Sequence, residues 1–200
     1  MKEALFNYAG LENVNFSSSN LYDAYFISAT LSGANFSGAN LHRADFTTTT
    51  QCGFTANQVY STASYAQGNL QHMSFQSNTM TGWNFSGKDL TRTDFSLASL
   101  VNSDFRNATL TNSIFYYSDL SGVDFRGSTG LSYGSSTTNN TILADGSIAG
   151  GSLNLSGSSS SFIVRPSNTA AITVSASGSV SDGASLVYKD ISTEDANAKI

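Results

Sequence analysis

The stretch "LSGANFSGANLHRADF", residues 31–46, places large apolar residues at Leu31, Phe36, Leu41 and Phe46, with Ala two positions before each of the last three. Residues five apart on a helix are rotated by about 500°, and a strand alternates sides every two residues, so neither element gathers this pattern on one side. The spacing predicts a chain that turns a corner in every repeat, with the large residue and the small residue before it pointing inward.

The same spacing runs through most of the first 125 residues in two registers. The first register comprises Phe6, Leu11, Phe16, Leu21, Phe26, Leu31, Phe36, Leu41 and Phe46. The second comprises Tyr60, Tyr65, Leu70, Phe75, Met80, Phe85, Leu90, Phe95, Leu100, Phe105, Leu110, Phe115, Leu120 and Phe125. Eleven of the 13 Phe residues fall on these positions, and internal repetition of this kind outweighs other sequence signals.

The repeats "ANFSG", "ANLHR", "ADFTT", "TDFSL", "SDFRN" and "VDFRG" resemble those of the pentapeptide-repeat family, over roughly residues 4–128. The resemblance implies an all-β fold, a right-handed quadrilateral β-helix (a pentapeptide-repeat solenoid), with coils stacked at about 4.8 Å. We assign residues 1–130 to this solenoid and residues 131–200 to a β-rich C-terminal extension.

Four repeats per coil predict that Phe6, Phe26 and Phe46 stack on one face and Phe16 and Phe36 on the opposite one. The other predicted core positions are Phe75, Phe85, Phe95, Phe105, Phe115, Phe125, Leu11, Leu21, Leu31, Leu41, Leu90, Leu100, Leu110 and Leu120. Each buried Phe or Leu contributes roughly 1.5–3 kcal/mol, so the repeats form a scaffold before they form a site.

The two registers are separated by an irregular segment, because Phe46 and Tyr60 are 14 residues apart. Thr55 before Ala56 resembles the capped start of a helix, with Phe54 as an apolar residue just outside it. We therefore predict a short helical insertion near residues 47–62.

Four of the inward positions after the insertion carry residues that are too large or too polar for a narrow coil, namely Met73, Asn78, Trp83 and Lys88. Either the coil widens here, or the insertion packs on this face and the side chains reach outward. One interpretation is a structural joint, and the other is an interaction patch formed by Trp83, Lys88 and Phe54.

Residues 131–200 lose the five-residue period and show pairs of apolar residues separated by one residue, as in short half-buried strands. The pairs are Leu153 and Leu155, Phe162 and Val164, Ile172 and Val174, and Leu186 and Tyr188, with turns at Asp145–Gly146 and Asp182–Gly183. These strands extend the solenoid or form a separate sandwich. We favour an extension, because the open end of a β-helix exposes unpaired backbone.

The sequence predicts no catalytic, metal or cofactor site, and hence a protein that is not an enzyme. His42 and His72 are 30 residues apart with no third ligand near, and are interpreted as isolated surface residues. Cys52 is the only cysteine and lacks an activating base. Ser and Asp occupy positions that the repeat requires, so a triad drawn from them has no support.

The composition argues against nucleic-acid binding and against insertion in a membrane. Net charge is −5 and charged residues make up 12% of the chain, which argues against nucleic-acid binding, and no apolar run is long enough to insert in a membrane. The stretches "GFTANQVYSTASY" and "MTGWNFSGKDL" resemble a subgroup of exported bacterial surface proteins. This resemblance predicts a structural or adhesive solenoid, extracellular or at the cell surface. The alternatives are a DNA-mimicking gyrase-binding protein and an intracellular (cytoplasmic) interaction scaffold.

Self-association is the predicted mode of assembly, as a homo-oligomer or a filament, alongside an unidentified protein or glycan partner. The first coil carries no capping helix, so Phe6, Leu11 and Phe16 form a candidate end for stacking with another copy.

Overall fold

The computed structural model describes residues 3–149. Single-residue parallel β-bridges join successive coils, and bridged residues are generally 20 apart, as in Leu5 with Tyr25 and Asn84 with Asp104. Because consecutive bridges are five residues apart, each coil has four sides, which makes a quadrilateral β-helix. The helices within this range are a 3₁₀ helix at Thr50–Cys52, α1 at Ala56–Tyr60 and α2 at Ala63–Ala66.

We number the four sides of the coil as faces 1 to 4 by the central apolar residue of each repeat. Face 1 is centred on Phe6, Phe26, Phe46, Phe75, Phe95 and Phe115, and face 2 on Leu11, Leu31, Met80, Leu100 and Leu120. Face 3 is centred on Phe16, Phe36, Phe85, Phe105 and Phe125, and face 4 on Leu21, Leu41, Leu70, Leu90 and Leu110.

Each corner of the coil is a tight turn whose last residue, two after the central one, is left-handed, as at Gly38 (φ +66°) and Asn107 (φ +57°). The residue before the central one fixes the same turn from the other side. Asn35 Oδ1 accepts the backbone N–H of Ser37 at 2.9 Å, and Asp94 Oδ1 accepts that of Ser96 at 2.8 Å. These bonds explain why the repeat prefers Asn or Asp at this position.

The interior is filled by stacked side chains. On face 1, Phe26 lies between Phe6 and Phe46 with ring centroids 5.0 and 4.9 Å away, and it meets Phe36 of face 3 edge-on at 5.7 Å. The central residues from Phe16 to Phe125 on all four faces are buried, whereas Phe6 and Leu11 are partly buried. Stacked and edge-on pairs are both favourable ring geometries, so two Phe columns support each other across the coil.

We predict that the interior position Phe105 and the corner position Asn107 differ sharply in their effect on stability. Phe105 has no exposed surface, and Phe105→Ala should lower the free energy of unfolding by about 3–5 kcal/mol. Asn107→Gly should cost little, since Gly also accepts its left-handed backbone. Chemical denaturation of both variants checks this, and equal losses would contradict it.

The insertion lengthens one coil by nine residues, because Asp45 bridges Ser74 rather than a residue 20 further on. Tyr60 and Tyr65 lie in α1 and α2, so assigning them to the inward repeat positions was wrong, and the helical segment continues past residue 62. Gln58 holds α1 in place. Its Oε1 accepts the Thr55 N–H at 2.8 Å and its Nε2 donates to the carbonyl groups of Leu31 and Ala34 at 2.7 and 2.8 Å.

Phe54 and Trp83 are interior residues. They are 3% and 7% exposed, Phe54 stacks on Phe46 at 4.4 Å, and Trp83 contacts Phe54 and Phe75 at 6.2 and 6.4 Å. The predicted patch of Trp83, Lys88 and Phe54 is therefore not a surface. The insertion replaces the Phe that face 3 would carry in the third coil, and these two rings fill the space.

The polar residues of the fourth coil bond to the insertion above them. Asn78 is buried, donates to the Phe46 carbonyl at 2.8 Å and accepts the Thr50 N–H at 2.9 Å. Lys88 Nζ lies 4.1 Å from the centroid of the Tyr65 ring. The unusual residues at inward positions are thus matched to the coil that the insertion lengthens, which corresponds to the structural-joint interpretation.

Two tyrosines replace the β-bridge that face 3 lacks in the third coil. The Asn84 N–H donates to Tyr60 Oη at 2.6 Å, and Tyr65 Oη donates to the Asn84 carbonyl at 2.9 Å. Burial raises the pKa of Tyr65 to about 12, so its hydroxyl remains neutral. The N–H and carbonyl groups of Asn84 thus bond to side chains, whereas in a regular coil they would bond to the backbone of the neighbouring coil.

We predict that Asn78→Ala is destabilising, because it leaves the Thr50 N–H without its partner and removes one hydrogen bond to the Phe46 carbonyl, which still accepts the Thr49 hydroxyl. A polar group left without its partner in this way costs about 1–3 kcal/mol. The measurement is the free energy of unfolding of Asn78→Ala beside that of Thr111→Ala, an exposed position. Similar stabilities for the two variants would show that Asn78 does not hold the joint together.

The repeat pattern continues beyond the predicted boundary at residue 130. Asp119 bridges Thr137 and Asp124 bridges Ile142, so the last described coil has 18 residues. Ile142 then pairs with Ile148 in an antiparallel bridge across the Asp145–Gly146 turn. The predicted strands between Leu153 and Tyr188, and the Asp182–Gly183 turn, lie outside the described residues.

Candidate interaction surface

The large apolar side chains that are exposed within residues 3–149 lie on one face. All of them belong to face 1, where they flank the buried Phe column on either side. They are Leu5, Tyr8, Tyr25, Leu97, Ile114, Tyr116 and Tyr117. Single exposed apolar residues are normal on a protein surface, but their concentration on one side indicates a contact surface.

These residues form two patches at opposite ends of face 1. The proximal patch, in the first two coils, consists of Leu5, Tyr8 and Tyr25, and the distal patch, in the fifth and sixth coils, consists of Leu97, Ile114, Tyr116 and Tyr117. The polar band between them, in the third and fourth coils, comprises Asp45, Thr47, Thr48, Ser74, Gln76 and Ser77. The six coils are separated by five spacings of about 4.8 Å, so this surface is about 24 Å long.

Three of the exposed residues occupy corners where their backbone is unfavourable. Tyr8, Leu97 and Tyr117 have φ of +62°, +60° and +55°. Residues other than Gly, Asn and Asp seldom adopt this conformation, although the fold imposes it at other corners too, as at Arg43 and His72. Neither burial nor backbone preference explains a Leu or a Tyr here, which favours contact with another molecule.

A shallow pocket of about 120 Å³ lies beside the distal patch. Its lining residues are Ser113, Ile114, Phe115, Tyr116, Ser132, Tyr133 and Gly134. An engineered cavity of about 150 Å³ holds one benzene molecule, so the pocket matches the size of one apolar side chain from a partner.

We predict that Leu97→Asn and Tyr117→Asn leave the free energy of unfolding unchanged or raise it by up to about 1 kcal/mol. The left-handed backbone suits Asn, as at Asn102 and Asn112, and the side chains removed are 55% and 70% exposed. Thermal and chemical unfolding of the two variants checks this. A loss comparable to that of a core substitution would mean that the distal patch serves folding.

Face 4 carries a second, polar cluster. The His42 ring stacks on Tyr22 with centroids 5.3 Å apart and meets the His72 ring at 5.9 Å. The prediction that His42 and His72 are isolated was wrong, because the insertion brings the repeat that holds His72 directly beneath that of His42. Arg43 pairs with Asp23 in the same rows.

The cluster is not arranged to bind a cation. The pKa of His72 is lowered from its ordinary value by partial burial and by the nearby Arg43, Arg92 and His42. Residues 3–149 contain no group of three or more His, Cys, Asp or Glu side chains that could share a metal ion. Cys52 is a free, partly exposed thiol.

We predict that His72 titrates below 6.5, its ordinary pKa, and that Arg92→Gln moves the titration upward. Because the unfolded chain binds this proton more readily, this group makes the folded state less stable as the pH falls through 6.5. An NMR titration of the imidazole signals checks both statements. An unshifted His72 in the wild-type protein would contradict them.

Several carboxylates of the solenoid are paired within the fold. Asp104 and Asp124 pair with Arg106 and Arg126 at 2.9 and 2.7 Å, and Asp119 accepts the Ser121 N–H at 3.0 Å. Residues 1–130 carry nine acidic and six basic residues, whereas duplex DNA carries one charge per about 1.7 Å. This distribution does not favour mimicry of DNA.

Sequence reasoning predicted the inward positions and missed face 1. Leu5, Tyr25 and Ile114 fall immediately before a central Phe, where the repeat prefers Asn or Asp. Reading every twentieth residue from Leu5 would have placed Leu5 and Tyr25 in one column, but the nine-residue insertion hides the link to Ile114 from any fixed period.

Two segments of this chain match a known protein family. A family model described as pentapeptide repeats matches residues 9–47 and 89–127, with eight copies. Among curated proteins, none matches this chain.

Several solved structures are similar to this chain. HetL of the cyanobacterium Nostoc, a pentapeptide-repeat protein involved in regulation of heterocyst differentiation, is 24% identical over 74% of this chain and 65% of its own, with a TM-score of 0.34. A pentapeptide-repeat protein of the Arabidopsis thaliana thylakoid lumen is 17% identical over 70% and 61%, with a TM-score of 0.28. QnrB1, a plasmid-mediated fluoroquinolone resistance protein, is 18% identical over 76% and 81%, with a TM-score of 0.30. The chain therefore spans less than two thirds of the length of the first two proteins.

Proposed function

Because this chain is a member of the pentapeptide-repeat family, we propose that it is a non-catalytic protein-interaction scaffold whose contact surface is face 1. The observation that carries the proposal is the location of all seven exposed large apolar residues of the described chain on this face. A rigid solenoid presents such residues at fixed spacing, so little conformational entropy is lost when a partner binds.

The polar side chains of the described residues support a scaffold rather than an enzyme. Buried hydroxyl groups donate to backbone carbonyl groups of the preceding coil, as Thr93 does to Leu70 at 2.8 Å and Ser103 does to Met80 at 2.8 Å. A hydroxyl held in this way has no neighbouring base to activate it as a nucleophile.

A structural or adhesive role at a bacterial surface is the finer form of this proposal, with an extracellular location. It is supported by the resemblance to exported proteins and by a surface rich in Ser, Thr and Asn rather than charged residues. Within residues 3–149, no helix has the length and apolar character needed to cross a membrane. An adhesive solenoid and an intracellular scaffold would use face 1 in the same way.

Site-specific photo-crosslinking in the host cell tests the proposal. Tyr116 on face 1 is replaced by p-benzoylphenylalanine, and the matched control carries it at Ser37, the equivalent exposed position of a repeat on the opposite face 3. We expect protein adducts from position 116 and not from position 37. Adding Leu97→Asn and Tyr117→Asn should remove them.

Two results would contradict an interaction surface on face 1, namely no adduct from position 116, or the same adducts from both positions. A gyrase supercoiling assay with purified protein tests the DNA-mimic alternative separately, and inhibition that persists in Leu97→Asn/Tyr117→Asn would favour that alternative.

A further inference from the structure

We propose that the partner of face 1 is a second copy of this chain, packed face to face with the two solenoids antiparallel. The inference rests on the proposed use of face 1 and adds the identity of the occupant. It comes from the order of the apolar patches and the polar band along the six coils.

The pattern on face 1 is symmetric about its middle. Apolar residues occupy the first and second coils and the fifth and sixth coils, with the polar band in the third and fourth. Reversing one copy against another places each proximal patch on the partner's distal patch and each polar band on its counterpart. A two-fold interface requires a surface that is complementary to itself in this way.

The match extends to two rows of the first and sixth coils. We call the residues that occupy the same repeat position in successive coils a row. A two-fold axis that lies in the plane of the interface, perpendicular to the solenoid axis, places each row opposite the same row of the other copy. It also exchanges the first coil with the sixth. Leu5 then lies opposite Ile114, in the row just before the central Phe. Tyr8 lies opposite Tyr117, in the corner row. The pocket beside Ile114 and Tyr116 is in position to receive the Leu5 side chain of the other copy.

Charge selects the antiparallel arrangement over the parallel one. The acidic residues in the row before the central Phe are Asp45 and Asp94, in the third and fifth coils. Antiparallel packing sets them opposite Ser74 and Tyr25, whose hydroxyl groups can donate to carboxylates. In parallel packing, each carboxylate lies at the same height as the same residue of the other copy, and the two like charges repel each other.

The interface is small, and the dimer is correspondingly weak. Face 1 is about 24 Å long and only one repeat wide. Two such faces in contact therefore bury less than the roughly 1,200 Å² of total surface that stable complexes reach. We expect a dissociation constant on the order of 10–100 µM. At such affinity the dimer forms mainly where the protein is concentrated, as in an assembly or on a surface.

Cysteine crosslinking tests the arrangement on the full chain in a Cys52→Ser background. We mix Leu5→Cys protein with Ile114→Cys protein, and in parallel Leu5→Cys protein with Tyr8→Cys protein, and oxidise each mixture mildly. Antiparallel packing predicts a mixed disulfide dimer in the first mixture and little in the second. The reverse yield, or no dimer in either mixture, overturns the proposal.

Sedimentation velocity over a concentration series provides the independent measurement. We expect reversible dimerisation of the wild-type chain, at least a tenfold weaker dimer for Leu97→Asn/Tyr117→Asn, and no change for Arg92→Asn, an exposed left-handed corner on face 4. A monomer at all concentrations overturns the dimer. If position 116 still forms adducts with another protein in cells, the scaffold proposal stands and only the identity of the partner is wrong.

Discussion

The structure depends on one constraint, which is that every fifth side chain must fill the interior of a narrow four-sided coil. Phe and Leu at the central positions provide the apolar volume, and a small residue two positions earlier leaves room for it. The left-handed corner and the Asn or Asp that caps it bring the chain around in time for the next inward residue. Once this cycle is in place, each coil adds burial and backbone bonds to its neighbours, as in other solenoids.

The same constraint explains how the insertion is accommodated. Nine additional residues remove one inward Phe from face 3, and the space is refilled by Phe54 from the insertion and Trp83 from the next coil. The backbone groups that lose their regular partners are satisfied by Asn78, Tyr60 and Tyr65. A coil that departs from the repeat therefore carries compensating substitutions in the coil that follows it.

Most of the solenoid can be predicted from the sequence, because inward positions are chosen by volume and recur at a fixed spacing. Trp83 could not be placed in this way, since its burial depends on a cavity that only the folded insertion creates. His42 and His72 are 30 residues apart, yet their rings meet because the longer coil between them stacks their repeats. Face 1 was missed for the related reason that outward residues carry no packing constraint of their own.

The division between inward and outward positions suggests how such a protein acquires a function. Inward residues fix the fold, while outward residues are free to change as long as the corners tolerate them, and Tyr8, Leu97 and Tyr117 occupy corners that suit them poorly. The central claim is that this one face makes the contacts of the protein. The most direct measurement is the amide NMR spectrum of the labelled chain in concentrated host-cell extract and in buffer. The account predicts signal loss confined to the repeats of face 1, and uniform loss, or loss centred on faces 2 to 4, would contradict it.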